Sequence, residues 1–361
     1  MLIATPNITV DRTVRLPELR LGSVLRPPRP AVTAGGKGLN VGRVAAAFGR
    51  RATLVGFRPD DDAVLLDRLF AAEPVEFRGV PVVGDVRVAT IYLEDSGRVT
   101  VLNEPGPEIS AAAWQGYEET IAAELATGDH RTLVCTGSLP PGAPGEGYGR
   151  LVGIGHRAGV RVVVDAARAA LAGAVPAGPD IVTPNLAEAA GVLWGDADES
   201  VHDGDPSVSE RAQEAVRELC RRGARSAAVT AGAAGTAYGD AAGVTWVPTV
   251  QVPVVNPIGA GDSFVGGLVE AWETGGTRIG AILFAVATAT ASVEQELAGG
   301  VDPGRARELA AVLTAAQRDA GGAGAGGDGG AGGGIGAGGA SIEAAAGVVG
   351  GDAGAGAGVE A

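Results

Sequence analysis

Six short runs of almost unbroken apolar residues punctuate the chain: Leu2–Thr5, Ala52–Phe57, Thr132–Thr136, Val160–Val164, Asp180–Val182 and Ser226–Thr230. Stretches of helical period lie between them, for example Val41, Val44, Ala45 and Phe48, or Val208–Arg222. A strand that is apolar on both faces cannot keep one face in water. Such strands, alternating with amphipathic helices, predict a mostly parallel sheet covered on both sides. Two stretches break the rhythm. Val86–Leu93 and Arg98–Asn103 flank Asp95-Ser96-Gly97, a hairpin turn signal, and Val10–Leu16 and Leu25–Val32 also read as extended. They predict a small β lid, about residues 10–34 and 78–105, beside the α/β body.

From Gly321 the composition collapses into glycine and alanine. Such a segment cannot bury enough apolar surface to offset its ordering entropy. The expected division is therefore a folded domain over 1–318 and a disordered tail over 319–361. Gly195–Pro206 is an acidic loop without the regular ligand spacing of a calcium site. A formal net charge of −14 argues against a nucleic-acid surface. No apolar run is long enough for a membrane helix, and MLIATPNITVDRTV has no signal-peptide pattern, so a cytoplasmic protein is expected.

Residues 256–264 read NPIGAGDSF. Phe264, Leu268 and Trp272 then recur on one helical face, which puts Gly259–Asp262 at a helix start. Free backbone N–H groups there, with glycines that let a ligand approach, suit oxygens gaining negative charge. Asp262 can then be a base taking a proton from an attacking hydroxyl, or merely a capping carboxylate. A second cluster, Gly35-Gly36-Lys37-Gly38-Leu39-Asn40, also precedes a helix. It is not a Walker A loop. Its lysine among glycines, with no acid beside it, suits contact with an anion.

GGKGLN near the N-terminus and GAGD near the C-terminus, in that order, resemble the two signature regions of the PfkB (ribokinase-like) carbohydrate kinases, over about residues 1–315. Within the family the chain is most similar to the phosphosugar branch that contains 1-phosphofructokinase and tagatose-6-phosphate kinase. Asn7–Thr13, Leu102–Pro107 and Thr136–Gly142 support this. The resemblance implies a three-layer α/β/α sandwich with a small β-sheet lid. It implies Asp262 as catalytic base, with Gly259, Ala260 and Gly261 as anion hole. Asp11, Gly36 and Asn40 would hold sugar hydroxyls, and Lys37, Arg87 and Ser138 the phosphate already on the sugar. Asn185 and Glu188 match the family's N-x-x-E, with Glu188 acting on Mg²⁺ indirectly. Thr230, Gly232 and Gly235, with Asn185 and Gly261, would meet ATP.

The implied reaction is ATP- and Mg²⁺-dependent phosphorylation of a ketohexose phosphate, fructose 1-phosphate to fructose 1,6-bisphosphate first. Tagatose 6-phosphate and fructose 6-phosphate are the alternative acceptors, and a non-catalytic sugar-phosphate sensor is the rival of another class. The implied partners are the sugar phosphate and ATP, with no nucleic acid and no membrane, and the resemblance allows a homodimer through the lid. The chain departs from the branch's pattern at Ile8, at Thr183 where lysine is common, at Asp165-Ala166-Ala167-Arg168 in place of Asp-Thr-Ser-Gly, and at Asn256-Pro257-Ile258. These departures leave the acceptor sugar open.

Overall fold

The computed structural model describes residues 1–195, 207–323 and 342–343. In chain order the N-terminal half has β1 (Leu2–Ala4), β2 (Thr9–Leu16), β3 (Ala31–Gly35), α1 (Lys37–Ala47), β4 (Thr53–Pro59), α2 (Ala63–Phe70), β5 (Glu76–Val82), β6 (Arg87–Glu94), β7 (Val99–Asn103), α3 (Ala111–Ala126) and β8 (Thr132–Thr136). Then come α4 (Gly147–Arg157), β9 (Arg161–Asp165), α5 (Arg168–Ala174), β10 (Ile181–Val182), α6 (Leu186–Trp194), α7 (Val208–Arg221), β11 (Ser226–Thr230), β12 (Thr236–Asp240) and β13 (Gly243–Val247). The chain continues through β14 (Val250–Gln251), α8 (Ala260–Glu273), α9 (Arg278–Ser292), α10 (Pro303–Ala323) and β15 (Ile342–Glu343).

The large sheet has the order β13-β12-β11-β10-β9-β8-β1-β4-β5. All six apolar runs form strands in it, and they pair in parallel. Their side chains alternate between two cores, as the twofold strand period requires. Leu2, Ala4, Val162 and Val164 enter one core with α3–α7, while Ile3 and Val163 enter the other with α1, α8, α9 and α10. The result is the three-layer α/β/α sandwich that the resemblance implies. Two strands, β12 and β13, close one edge as antiparallel additions.

The lid is a four-stranded sheet, β3-β2-β6-β7. Its hairpin turns at Gly97, which has a φ of 84°, and whose N–H donates to the Glu94 carbonyl at 2.9 Å. Two expectations need correction. Residues 78–82 belong to β5, which pairs with β4 in the large sheet and not in the lid. Extended pairing also fails over most of Leu25–Val32, because Pro27, Pro28 and Pro30 have no N–H to give a ladder, and β3 begins only at Ala31.

The last helix continues to Ala323, past residue 318 where the composition places the domain's end. Ile342–Glu343 pairs in parallel with β14. The rest of the expected tail, and nearly all of the acidic loop at 195–206, lie outside the described residues. Among the described residues no helix is long and apolar enough to cross a membrane.

Candidate active site

The strand order reverses at β1, with β4 on one side and β8 on the other. In open α/β sheets the crevice beyond the carboxyl ends of the strands at such a point receives ligands. Both glycine clusters end there. Gly36 (φ 104°) turns the chain from β3 into α1, and Gly259 (φ 83°) turns it into α8. A side chain at either position would strain the backbone. Gly35 has a different reason to be glycine: a methyl group there would run into the carboxylate of Asp11 on β2.

Asp262 occupies the third position of α8 and is buried. Gly259 is the N-cap and no side chain caps this helix, so the Asp262 carboxylate is free for other work. Asn40 Nδ2 donates to Asp262 Oδ2 at 2.8 Å. Burial pushes the Asp262 carboxyl up to about 7; Lys37 opposes the rise, Asp165 adds to it, and the Asn40 bond opposes it. The first amides of α8, including those of Gly261 and Asp262, have no acceptor within the helix, and Ala260 and Gly261 line the adjoining cavity.

Lys37 opens α1, one helical turn before Asn40, so both reach the same crevice. Its Nζ donates to Asp165 Oδ2 and to Glu188 Oε1, both at 3.3 Å. Burial would lower its pKa, but Asp165, Glu188 and Asp262 together hold it well above an ordinary lysine. The resemblance places Lys37 on the sugar's phosphate; in this structure its partners are carboxylates. Asp165 was not singled out from the sequence. It ends β9, accepts from Thr136 Oγ1 at 3.0 Å and from Thr183 Oγ1 at 3.4 Å, and is 3% exposed. The available signal was a carboxylate closing RVVVD while threonines close the two neighbouring apolar runs.

Asn185 and Glu188 form a reciprocal cap on α6. Glu188 N donates to Asn185 Oδ1 at 2.8 Å, and Asn185 N donates to Glu188 Oε2 at 3.0 Å. So Asn185 is a helix cap, while Glu188 also faces Lys37. Burial raises the Glu188 carboxyl, and Lys37 opposes it.

A cavity of about 600 Å³ opens beside these groups, lined by Asn185, Thr230, Gly232, Ala260, Gly261, Phe264 and Val286 among others. Its mixed polar and apolar wall suits a small planar ligand with a polar tail. Gly235 does not line it. A methyl there would meet the Val247 carbonyl and the Trp246 ring, so Gly235 serves the tight entry into β12.

On the lid side, Arg87 lies opposite Thr9 in the β2–β6 pairing. Its Nη2 donates to the Asn7 carbonyl at 2.8 Å, and its Nε to the Asn7 and Ile8 carbonyls at 3.2 and 3.3 Å. Asn7 Nδ2 donates in turn to Ser138 Oγ at 3.0 Å and to the Pro105 carbonyl at 3.1 Å. Arg87 and Ser138, 51 positions apart in the chain, are thus joined through Asn7, to which the sequence reading gave no role. Asn7 Oδ1 is buried without a partner. Burial lifts Asp11 to about 6, against Arg43 and Arg87.

The sequence matches the family described as pfkB family carbohydrate kinase over residues 4–303. A 1-phosphofructokinase of Rhodobacter capsulatus is 32% identical over 271 residues, 74% of this chain and 82% of that protein. One from Haemophilus influenzae is 30% identical over 300 residues, 82% and 92% of the two chains. Among solved structures, phosphofructokinase-2 from Escherichia coli in complex with potassium superposes with a TM-score of 0.76 at 24% identity, over 87% of this chain and 99% of that one. Ribokinase from Thermotoga maritima gives a TM-score of 0.65 at 18% identity, over 87% and 99%. These two likenesses concern the fold.

Proposed function

The chain belongs to the pfkB family of carbohydrate kinases and is an ATP-dependent sugar-phosphate kinase, and we propose that it phosphorylates fructose 1-phosphate to fructose 1,6-bisphosphate. One observation carries the mechanism: Asp262 lies buried at the start of α8, one oxygen held by Asn40 and the first amides of the helix beside it. Asp262 Oδ1 then takes the proton of the sugar's hydroxyl as that oxygen attacks the γ-phosphorus of ATP in line. The amides of Gly261 and its neighbours stabilise the charge that grows on the transferring group.

ATP would occupy the cavity past Asn185, Thr230 and Gly232. Lys37, bonded to Asp165 and Glu188, would offset carboxylates that otherwise repel the phosphates. Among the described residues no three ligating side chains gather into a closed metal cage. Mg²⁺ needs none, since it binds through one or two carboxylates, substrate phosphates and water. Asp165 and Glu188 are the oxygen donors of fitting type, and the ion would supply charge neutralisation on the nucleotide.

The acceptor's own phosphate would lie at the base of the lid, against Arg87 and Ser138, with its hydroxyls toward Asp11, Gly36 and Asn40. The curated relatives' names favour fructose 1-phosphate. A coupled assay of ADP release over fructose 1-phosphate, tagatose 6-phosphate, fructose 6-phosphate and fructose tests it. The highest kcat/KM is expected for the first, and a clear preference for any other overturns this assignment. We also propose a homodimer through the lid, where Val32, Val99, Val101 and Leu102 are exposed.

Arg87→Ala should raise KM for the sugar phosphate by about 10- to 100-fold, the worth of a charge-assisted hydrogen bond. KM for ATP should stay within about twofold, since Arg87 does not line the cavity proposed for the nucleotide. Steady-state kinetics with each substrate varied in turn checks this. Equal rises in both constants would remove Arg87 from the sugar-phosphate site.

A further inference from the structure

Asn40 meets Asp262 with its amide nitrogen because its oxygen is committed elsewhere. Asn40 Oδ1 accepts from Arg43 Nη1 at 3.1 Å, and Nδ2 donates to Asp262 Oδ2 at 2.8 Å. A guanidinium only donates and an ionised carboxylate only accepts. The amide therefore cannot flip without setting donor against donor and acceptor against acceptor.

Arg43 is itself fixed by several parts of the chain. Its Nε and Nη2 donate to Glu73 at 2.9 and 2.6 Å, a two-pronged pair with the residue just beyond α2. Nη2 also donates to the Ala34 carbonyl at the end of β3 (3.2 Å), and Nη1 to the Ala298 carbonyl between α9 and α10 (3.3 Å). The Arg43 and Glu73 side chains are only 9% and 13% exposed. The same C-terminal loop presses Gly299 on Asn40 so closely that a methyl there would come within 2.7 Å of the Asn40 Cα.

We propose that Glu73 and Arg43 are positioning residues for phosphoryl transfer: they lock the Asn40 amide so that it holds one oxygen of Asp262 and leaves the other aimed at the acceptor hydroxyl. Without that lock Asp262 is free to turn toward Lys37, the cation of its own cluster, and the approach to the hydroxyl is lost. The inference rests on Asp262 being the base. The sequence carries a signal for it: Lys37, Asn40 and Arg43 recur at spacing three, one polar stripe on a helix whose Leu39, Val41, Val44 and Ala45 are buried.

The test is a double-mutant cycle on kcat with Arg43→Lys and Asn40→Ala. Lysine keeps the charge opposite Glu73 but cannot span Glu73, Asn40 and two carbonyls at once. Arg43→Lys should lower kcat by about 10- to 100-fold with KM for ATP little changed. In the Asn40→Ala background the same substitution should cost less than about twofold, because its route to Asp262 is already gone. The acidic limb of the kcat–pH profile should move upward in Arg43→Lys. The charged groups around Asp262, namely Lys37 on α1, Asp165 ending β9 and Glu188 on α6, are untouched, while the Asn40 donor is weakened.

Melting curves accompany each variant, and Glu73→Gln carries the same cycle if Arg43→Lys does not fold. Losses that multiply, or a fall in kcat with an unmoved acidic limb, would overturn the proposal. Should Asp262→Asn keep full turnover, the underlying reading falls instead. Multiplying losses beside an inactive Asp262→Asn sink only the positioning role.

Discussion

Asp262→Asn is expected to lower kcat by about 10²–10⁴-fold, the usual contribution of a general base. Asparagine keeps the shape of the side chain but cannot accept the sugar's proton. Nucleotide affinity should stay within about twofold, since the cavity wall is formed by Asn185, Thr230, Gly232 and Gly261. In the parent, kcat should fall as the pH drops below about 7, because the folded protein holds the proton of Asp262 up to that pH and a protonated base is idle. Stability should run the other way. The folded-state pKa lies above the ordinary 3.8, so the stability Asp262 contributes is fully present below that value and is lost as the pH rises through about 7. Asparagine escapes the loss. The melting temperature of the variant should therefore exceed the parent's by a margin that opens between these two pH values. Near-parental turnover at pH 8 would remove Asp262 from the chemistry.

The parts of the molecule legible in the sequence are those whose signal is local. Ile3, Val134, Val163 and Ala228 sit in unbroken apolar runs because their strands are buried on both faces. The Asp95-Ser96-Gly97 turn needs a left-handed residue, and Gly97 supplies one. Residues 78–82 read as lid and not as an edge strand of the large sheet, because β5 is half-exposed and carries Pro81, so no continuous apolar run marks it. The hairpin β12–β13 hides behind Asp240-Ala241-Ala242-Gly243, which lacks a strong turn signature.

The site divides in the same way. GGKGLN and GAGD were legible because glycines and a helix start are local features. Asp165, Asn7 and the Glu73–Arg43–Asn40 chain depend on pairings such as Arg43–Glu73, Lys37–Asp165, Asn7–Ser138 and Asn40–Asp262, 30 to 222 positions apart, which only the folded crossovers bring together. One departure from the family's pattern acquires a cost. Arg168 stands where the family usually has glycine, and it is the one non-glycine of positive φ (52°) among the described residues. A left-handed conformation costs an L-residue about 1–2 kcal/mol.

Lys37→Met is the second large effect, and its pH dependence separates it from the first. Methionine keeps most of the apolar stem of the side chain and removes the cation bonded to both Asp165 and Glu188. Asp165, Glu188 and Asp262 are then left to repel one another and the incoming phosphates. We expect kcat at pH 7 to fall by about 10²–10³-fold, the cost typical of losing one group that stabilises transition-state charge. Lys37 is also the largest influence holding the Asp262 pKa down, so its loss drives that pKa above about 7. The base then stays protonated at neutral pH, and the acidic limb of the kcat–pH profile moves to higher pH. Raising the pH toward 9 should recover part of the loss in Lys37→Met and none in Asp262→Asn, which has no carboxylate to ionise. The fold should tolerate the change better than it would tolerate loss of a wholly buried cation, since 38% of the Lys37 side-chain surface is exposed. If Lys37 served only the phosphate on the sugar, the variant would show a raised KM for the sugar phosphate, a parental acidic limb and little change in kcat. That result would detach Lys37 from the base and return it to the sugar's side of the crevice.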